Sequence, residues 1–223
     1  MRIANMYSHL NGYEYMLVHR KQQWEEIENA IKSIDANDFL KVSDAKATLG
    51  QTFYDQKRIN KEFEKILFPQ NWQSLKIYYY VVGDIPTAKI ISGIREKEKQ
   101  KEIIEQQGYI PMITNNQVDF VKDRIAIEVQ FGKYFSVAYD LHVKHTFFFL
   151  RDDIDVGIEI IPTRKMSLYM DSGVPWFENE LANVIREGRS NPTVPIVMIG
   201  IEPEEIKIEK KEKSRKRKKQ IEE

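Results

Sequence analysis

Between residues 19 and 34, Trp24, Ile27, Ile31 and Ile34 recur at steps of three and four, while Glu25, Glu26, Glu28 and Lys32 fall outside that stripe. The spacing predicts an amphipathic helix whose stripe faces the core rather than a subunit partner. A second helix is predicted over 56–68, with Ile59, Phe63, Ile66 and Leu67 inward and Pro69 as its stop. The run from Ile77 to Val82, with three successive tyrosines, has strand propensity before Gly83 and Pro86 break it. Residues 96–107 read as a charged helix closed by Gly108. Beyond Asn115 and Asn116 the pattern changes. Residues 118–122 and 125–131 read as short strands around a solvated turn at Asp123 and Arg124, and Ser136 is placed to cap a helix reaching 149. Residues 154–161 and 194–201 are apolar enough for central strands, and Phe177, Leu181, Val184 and Ile185 mark a helix between them that ends at Gly188. The order β-β-α-β-α-β, preceded by helices, predicts an α/β domain with a mixed sheet flanked by helices.

Composition adds little to that picture, with two exceptions. The 223 residues contain no cysteine, which excludes disulfides and thiolate chemistry and fits a reducing cytoplasm. No apolar run reaches the ~20 residues of a membrane helix, and the start lacks a signal-peptide pattern, so a cytoplasmic protein with no membrane contact is expected. Thirty-four basic and thirty-four acidic residues cancel overall, yet 210–219 carry eight Lys/Arg and one acid. A single domain over 1–205 is therefore expected, with 206–223 an unstructured basic tail acting at most as an accessory phosphate-binding arm.

The chain has no P-loop, dinucleotide glycine pattern, nucleophile elbow or zinc spacing. Acid–base, metal-assisted or binding chemistry remains. In 125–130, alternation puts Ile125, Ile127 and Val129 on one face and Ala126, Glu128 and Gln130 on the other. Glu128 is costly to bury there unless it is paired or bound to metal. A tight turn can bring Asp119 beside it, and two carboxylates at one point make a hard-oxygen site suited to Mg²⁺. A surface hairpin with solvated acids is the competing reading of these residues alone. His142 and His145 lack a third ligand at metal spacing and read as helix-surface histidines. Lys144 is a candidate for reaching a phosphate, and Tyr78, Tyr79 and Tyr80 for stacking bases or packing a strand.

The stretch from Val118 to Tyr134 (VDFVKDRIAIEVQFGKY) resembles the active-site hairpin of type II restriction endonucleases of the BglII/BstYI group, through the pattern D-x8-E-x-Q followed by an aromatic residue and a short loop. Similarity to the BstYI-type branch continues through MRI at 1–3, YSHLNG at 7–12, WEEI at 24–27, VAYDL at 137–141, IDVG at 154–157 and NVIR at 183–186. It spans most of 1–201 and is weakest between 36 and 115. The resemblance implies a PD-(D/E)xK core in which the usual final Lys is replaced by Gln, as at Gln130. It implies Asp119, Glu128 and Gln130 as catalytic residues. Asp119, Glu128 and the Val129 carbonyl would hold Mg²⁺ (Mn²⁺ substituting), and Gln130 would position the water. By position in the family, Lys133 and Tyr134, and Ser172 and Gly173, correspond to DNA-reading loops. A homodimer would then cut double-stranded DNA at a GATC-centred hexanucleotide, RGATCY in preference to AGATCT. It would leave four-base 5′ overhangs and would work beside a cognate DNA methyltransferase. The alternatives are a catalytically silent DNA-binding protein and a structure-specific repair nuclease of the same superfamily.

Overall fold

The computed structural model describes residues 1–208. Its strands are β1 (Arg2–His9), β2 (Leu40–Val42), β3 (Thr52–Tyr54), β4 (Gln73–Val81), β5 (Met112–Lys122), β6 (Ile125–Val129), β7 (Val156–Pro162) and β8 (Ile196–Glu202). Six of them form one mixed sheet in the order β1-β8-β7-β6-β5-β4, and β2 pairs with β3 in a separate ribbon. The three central strands β6, β7 and β8 run parallel, and the outer pairings are antiparallel. Every residue of those central strands is buried, as expected where helices cover both faces.

Helices α1 (Gly12–His19), α2 (Lys21–Ser33) and α3 (Gln56–Leu67) precede the sheet's middle, and α4 (Ile85–Ser92) and α5 (Lys97–Gln106) lie between β4 and β5. The stripe Trp24, Ile27, Ile31 and Ile34 is core, packed with Ile59 and Phe63 of α3 against Ile125, Ile127, Ile158, Ile160, Val197 and Ile199. The opposite face of the sheet carries Ala126, Glu128, Gly157, Glu159 and Met198. It is covered by α6, continuous from 135 to 150, and by α7 (Phe177–Glu187), through Val137, Leu141, Phe148, Phe177 and Val184. Thus α6 is the crossover between the parallel strands β6 and β7, the connection such a pair requires.

Several boundaries differ from the sequence expectations. The first helix region breaks at Arg20 (φ −140°, ψ 37°), and a separate α1 precedes it. The leading strand β1 carries no clean alternation, because it is a half-exposed edge. Strand β6 ends at Val129, not 131, although the Gln130 N–H still donates to the Ile160 carbonyl at 2.9 Å. Ser136 caps nothing: α6 starts one residue earlier, and the Ser136 backbone N–H donates to the Lys133 carbonyl. Asp123 and Arg124 both have positive φ (47° and 67°), as in a type I′ hairpin turn, where Gly usually takes the second place. The turn is not merely solvated. The Arg124 guanidinium donates to Asp155 at 2.8 and 3.0 Å and also pairs with Asp152, which offsets the backbone cost of a side chain in the left-handed region. Gln23 and Arg20 hold Asp123 from the helical side.

Of the expected tail, Ile206 and Ile208 pack on the main core and the Lys207 N–H donates to Asn37; the rest lies outside the described residues. No helix among the described residues is long and apolar enough to cross a membrane.

Candidate active site

The β5–β6 hairpin ladder runs Lys122↔Ile125, Val121↔Ala126, Phe120↔Ile127 and then stops. Past that point the strands diverge. The Val129 N–H, which a continued ladder would use, donates instead to Asp119 Oδ2 at 3.1 Å. A register shift where β5 meets β4, between Gln73 and Leu75, re-aims this part of β5. Divergence therefore places the half-buried Asp119 carboxylate at the end of β6, beside Glu128. Asp119 also lines a cleft of about 140 Å³ bounded by Asn60, Glu64, Ser74 and Gln117.

Glu128 is 2% exposed. Burial raises its pKa well above the ordinary carboxylate value, and the neighbouring Asp119 and Asp140 charges add to the rise. Lys144 opposes it, with Nζ at 3.0 Å from Glu128 Oε1 and 2.7 Å from Asp140 Oδ1. Burial also raises Asp140. For Lys144 burial pulls downward, but the two carboxylates outweigh it and hold the ammonium above its usual value. Gln130 sits at the edge of this cluster: its side-chain amide donates to Asp140 Oδ2 and its carbonyl accepts the Gly132 N–H at 3.0 Å. A Cβ on Gly132 would lie 2.7 Å from that carbonyl oxygen, so a larger residue there would displace the end of the Gln130 side chain.

Beneath the cluster lies a second buried pair. Glu159 is the register partner of Glu128 in the parallel β6–β7 ladder, so both point at α6. His145 Nε2 and Glu159 Oε1 are 2.9 Å apart, and both side chains are fully buried. Burial, helped by Lys144, lowers the His145 pKa to about 3, and burial followed by the Asp140 and Glu128 charges raises Glu159 well above its ordinary value. Both groups are therefore held neutral, sharing one proton. Residues 140–145 form a π-helical turn inside α6, a feature that recurs at functional sites. The widened turn lets the consecutive residues Lys144 and His145 meet the sheet together. Contrary to expectation, His145 is thus a core residue; His142 is half-buried and pairs with Glu187 at 2.9 Å. Asp140 and Glu159 were not singled out from sequence. Glu159 had a signal, a lone acid inside an apolar strand.

The expected DNA-reading residues are exposed loop positions. Lys133 and Tyr134 lie between Gln130 and α6, with the Tyr134 ring edge-on to Phe135 at 5.8 Å. Ser172 and Gly173 follow Asp171, which pairs with Lys41 of β2 at 2.7 Å, so their loop is fastened to the β2–β3 ribbon. Among the described residues no hydrogen bond joins Ser172 or Gly173 to the carboxylate cluster. Tyr79 packs on Phe147 at 5.1 Å, which supports the strand-packing role for that tyrosine.

The sequence profile of the restriction endonuclease BglII/BglIII family matches residues 4–201. The chain belongs to that family. Its fold is similar to that of the crystal structure of restriction endonuclease BglII complexed with a DNA 16-mer (TM-score 0.60, 18% identity, covering 91% of this chain and 79% of that one). It is likewise similar to the structure of free BglII (TM-score 0.56, 17% identity, covering 91% and 80%). None of the curated proteins matches the chain by sequence. This BglII-family protein is accordingly a type II restriction endonuclease, a DNA-binding hydrolase whose family uses a divalent metal. Among the described residues no three His, Cys, Asp or Glu side chains converge on one ion position. The carboxylates of Asp119 and Glu128 are the oxygen donors at the hairpin end. That set of hard oxygens fits Mg²⁺, which keeps much of its water shell.

Proposed function

We propose that this chain is a Mg²⁺-dependent endonuclease acting as a homodimer on a GATC-centred palindromic hexanucleotide, RGATCY in preference to AGATCT. It cuts before the G in each strand to leave four-base 5′ overhangs, and acts in the cytoplasm beside a methyltransferase of the same site. The observation that carries the reading is the divergence of β5 from β6, which leaves Asp119 and the buried Glu128 side by side at the end of a rigid hairpin. A divalent ion held there supplies Lewis-acid stabilisation of charge developing on the phosphate oxygens. The residues do the rest. The Val129 N–H fixes the Asp119 rotamer, the covering helix holds Glu128, and Gln130 orients the attacking water through its amide. A neutral amide cannot remove that water's proton, so Gln130 is a positioning group. A palindromic target matches a two-fold dimer that brings one hairpin to each strand.

Digestion of genomic DNA with and without Mg²⁺, with sequencing of the cut ends, reads activity, site and overhang together. Discrete GATC-centred ends that appear only with Mg²⁺ are expected. Smears without a fixed sequence would favour a structure-specific nuclease, and binding without cleavage a silent DNA-binding protein. Asp119→Ala and Glu128→Ala should each lower cleavage by about 10²–10³-fold, the scale of losing a principal electrostatic catalyst, while specific DNA binding persists. Near-wild-type turnover in Asp119→Ala would remove the hairpin from the mechanism.

A further inference from the structure

The site contains a cation that its strands lack. Lys144 reaches it from α6, with Nζ within ion-pair distance of Glu128 and Asp140 at once. Its own side chain is 20% exposed, whereas the two carboxylates are 2% and 1% exposed. Among the described residues it is the basic group paired with either carboxylate. Its geometry is fixed from both ends. Asp140 takes Lys144 on Oδ1 and the Gln130 amide on Oδ2, so the carboxylate that steers the ammonium is itself held by a residue of the catalytic strand. Because Asp140 and Lys144 are four apart on one helix, the ammonium has a partner that does not depend on Glu128.

An ion at the hairpin end would draw on the same Glu128 carboxylate whose Oε1 Lys144 now engages. Two cations within bonding distance of one buried carboxylate repel each other strongly in a medium that screens poorly. We propose that Lys144 is a positioning residue which holds Glu128 in the unloaded site and is exchanged for the divalent ion on loading, Asp140 retaining the ammonium nearby. The inference rests on the reading of Asp119 and Glu128 as the ion-binding carboxylates. It explains how a deeply buried carboxylate stays compatible with folding before any ion arrives.

The test uses the full-length protein without DNA and Ca²⁺ as the probe, reading thermal unfolding across a Ca²⁺ series for wild type, Lys144→Met, Lys144→Arg and Asp119→Ala. Lys144→Met should reach its half-maximal shift at about tenfold or more lower Ca²⁺ than wild type, the scale that one neighbouring charge imposes. Lys144→Arg, which keeps the charge, should stay within about twofold of wild type, a difference that small perturbations produce. A merely structural lysine would not move the Ca²⁺ midpoint. If Lys144→Met responds at the same or higher Ca²⁺ while Asp119→Ala loses the response, the exchange is refuted and the ion site stands. If wild type responds no differently from Asp119→Ala, both readings fall. Should Lys144→Met be poorly folded without ion, recovery by Ca²⁺ exceeding that of wild type supports the exchange, and no recovery overturns it.

Discussion

Replacing Glu159 by Gln isolates one buried proton. In the folded protein the Glu159 carboxyl is held protonated by burial and by the Asp140 and Glu128 charges, and its partner His145 is held neutral, with a pKa of about 3. In the unfolded chain the same carboxyl ionises near its ordinary 4.5. A group whose folded pKa is raised contributes stability that is complete below its unfolded value and is lost as pH rises toward its folded value. Gln keeps the shape and can still hydrogen-bond to His145 Nε2, but it has no proton to lose. The unfolding free energy of wild type minus that of Glu159→Gln should therefore fall as pH rises above 4.5, by up to about 1.4 kcal/mol per pH unit while the folded carboxyl stays protonated. The His145 contribution is common to both proteins and cancels. In wild type alone it should appear as an acid limb: below pH 4.5 the unfolded state binds two protons on this pair against one in the folded state, so stability falls toward pH 3. Urea unfolding of both proteins at several pH values between 4.5 and 7.5 measures the difference, and activity need not be assayed. A difference that is constant over that range would mean that Glu159 ionises in the folded protein as it does in water, and the neutral pair would be refuted.

Three further outcomes are expected. Gly157→Ala should destabilise by about 2–4 kcal/mol, combining overpacking with a disturbed buried hydrogen bond. The added Cβ falls 2.6 Å from the His145 ring, which is fully buried and cannot retreat, so calorimetry showing an unchanged Tm would contradict that packing. Arg124→Gly relieves the left-handed turn yet removes the Asp152 and Asp155 contacts; chemical denaturation should show a net loss of about 1 kcal/mol, and a gain would mean that the backbone strain outweighs the clamp. Lys133→Ala and Ser172→Ala should alter relative cutting among the outer-pair variants of N-GATC-N palindromes, measured by competitive digestion; a uniform loss with a reduced salt slope would assign both to the phosphate backbone.

What was legible in the sequence was local. The turn, the alternation that puts Glu128 opposite Ile127, and the ten-residue reach from Asp119 to Val129 all lie within one hairpin, so residue order alone brings them together. The α2 stripe was legible for the same reason, since helical spacing converts directly into a buried face. Edge strand β1 and helix α1 were not, because a half-exposed strand and a short helix whose apolar residues are spread around its axis lack a diagnostic period. The cationic half of the site was hidden for a different reason. Asp140 and Lys144 have the spacing of an ordinary surface ion pair, and only the crossover from β6 to β7 decides that this face of the helix points inward. Once that register is known, the rest follows. In a parallel ladder Glu128 and Glu159 stand side by side on the face beneath α6, so a helix that brings one residue to the first carboxylate brings an adjacent one to the second. A regular α-turn separates successive side chains by ~100°, too far for both to face a flat sheet squarely. The π-turn at 140–145 widens that face at the position where Lys144 and His145 need it, so the irregular turn is what lets the ionic pair and the neutral pair coexist one residue apart.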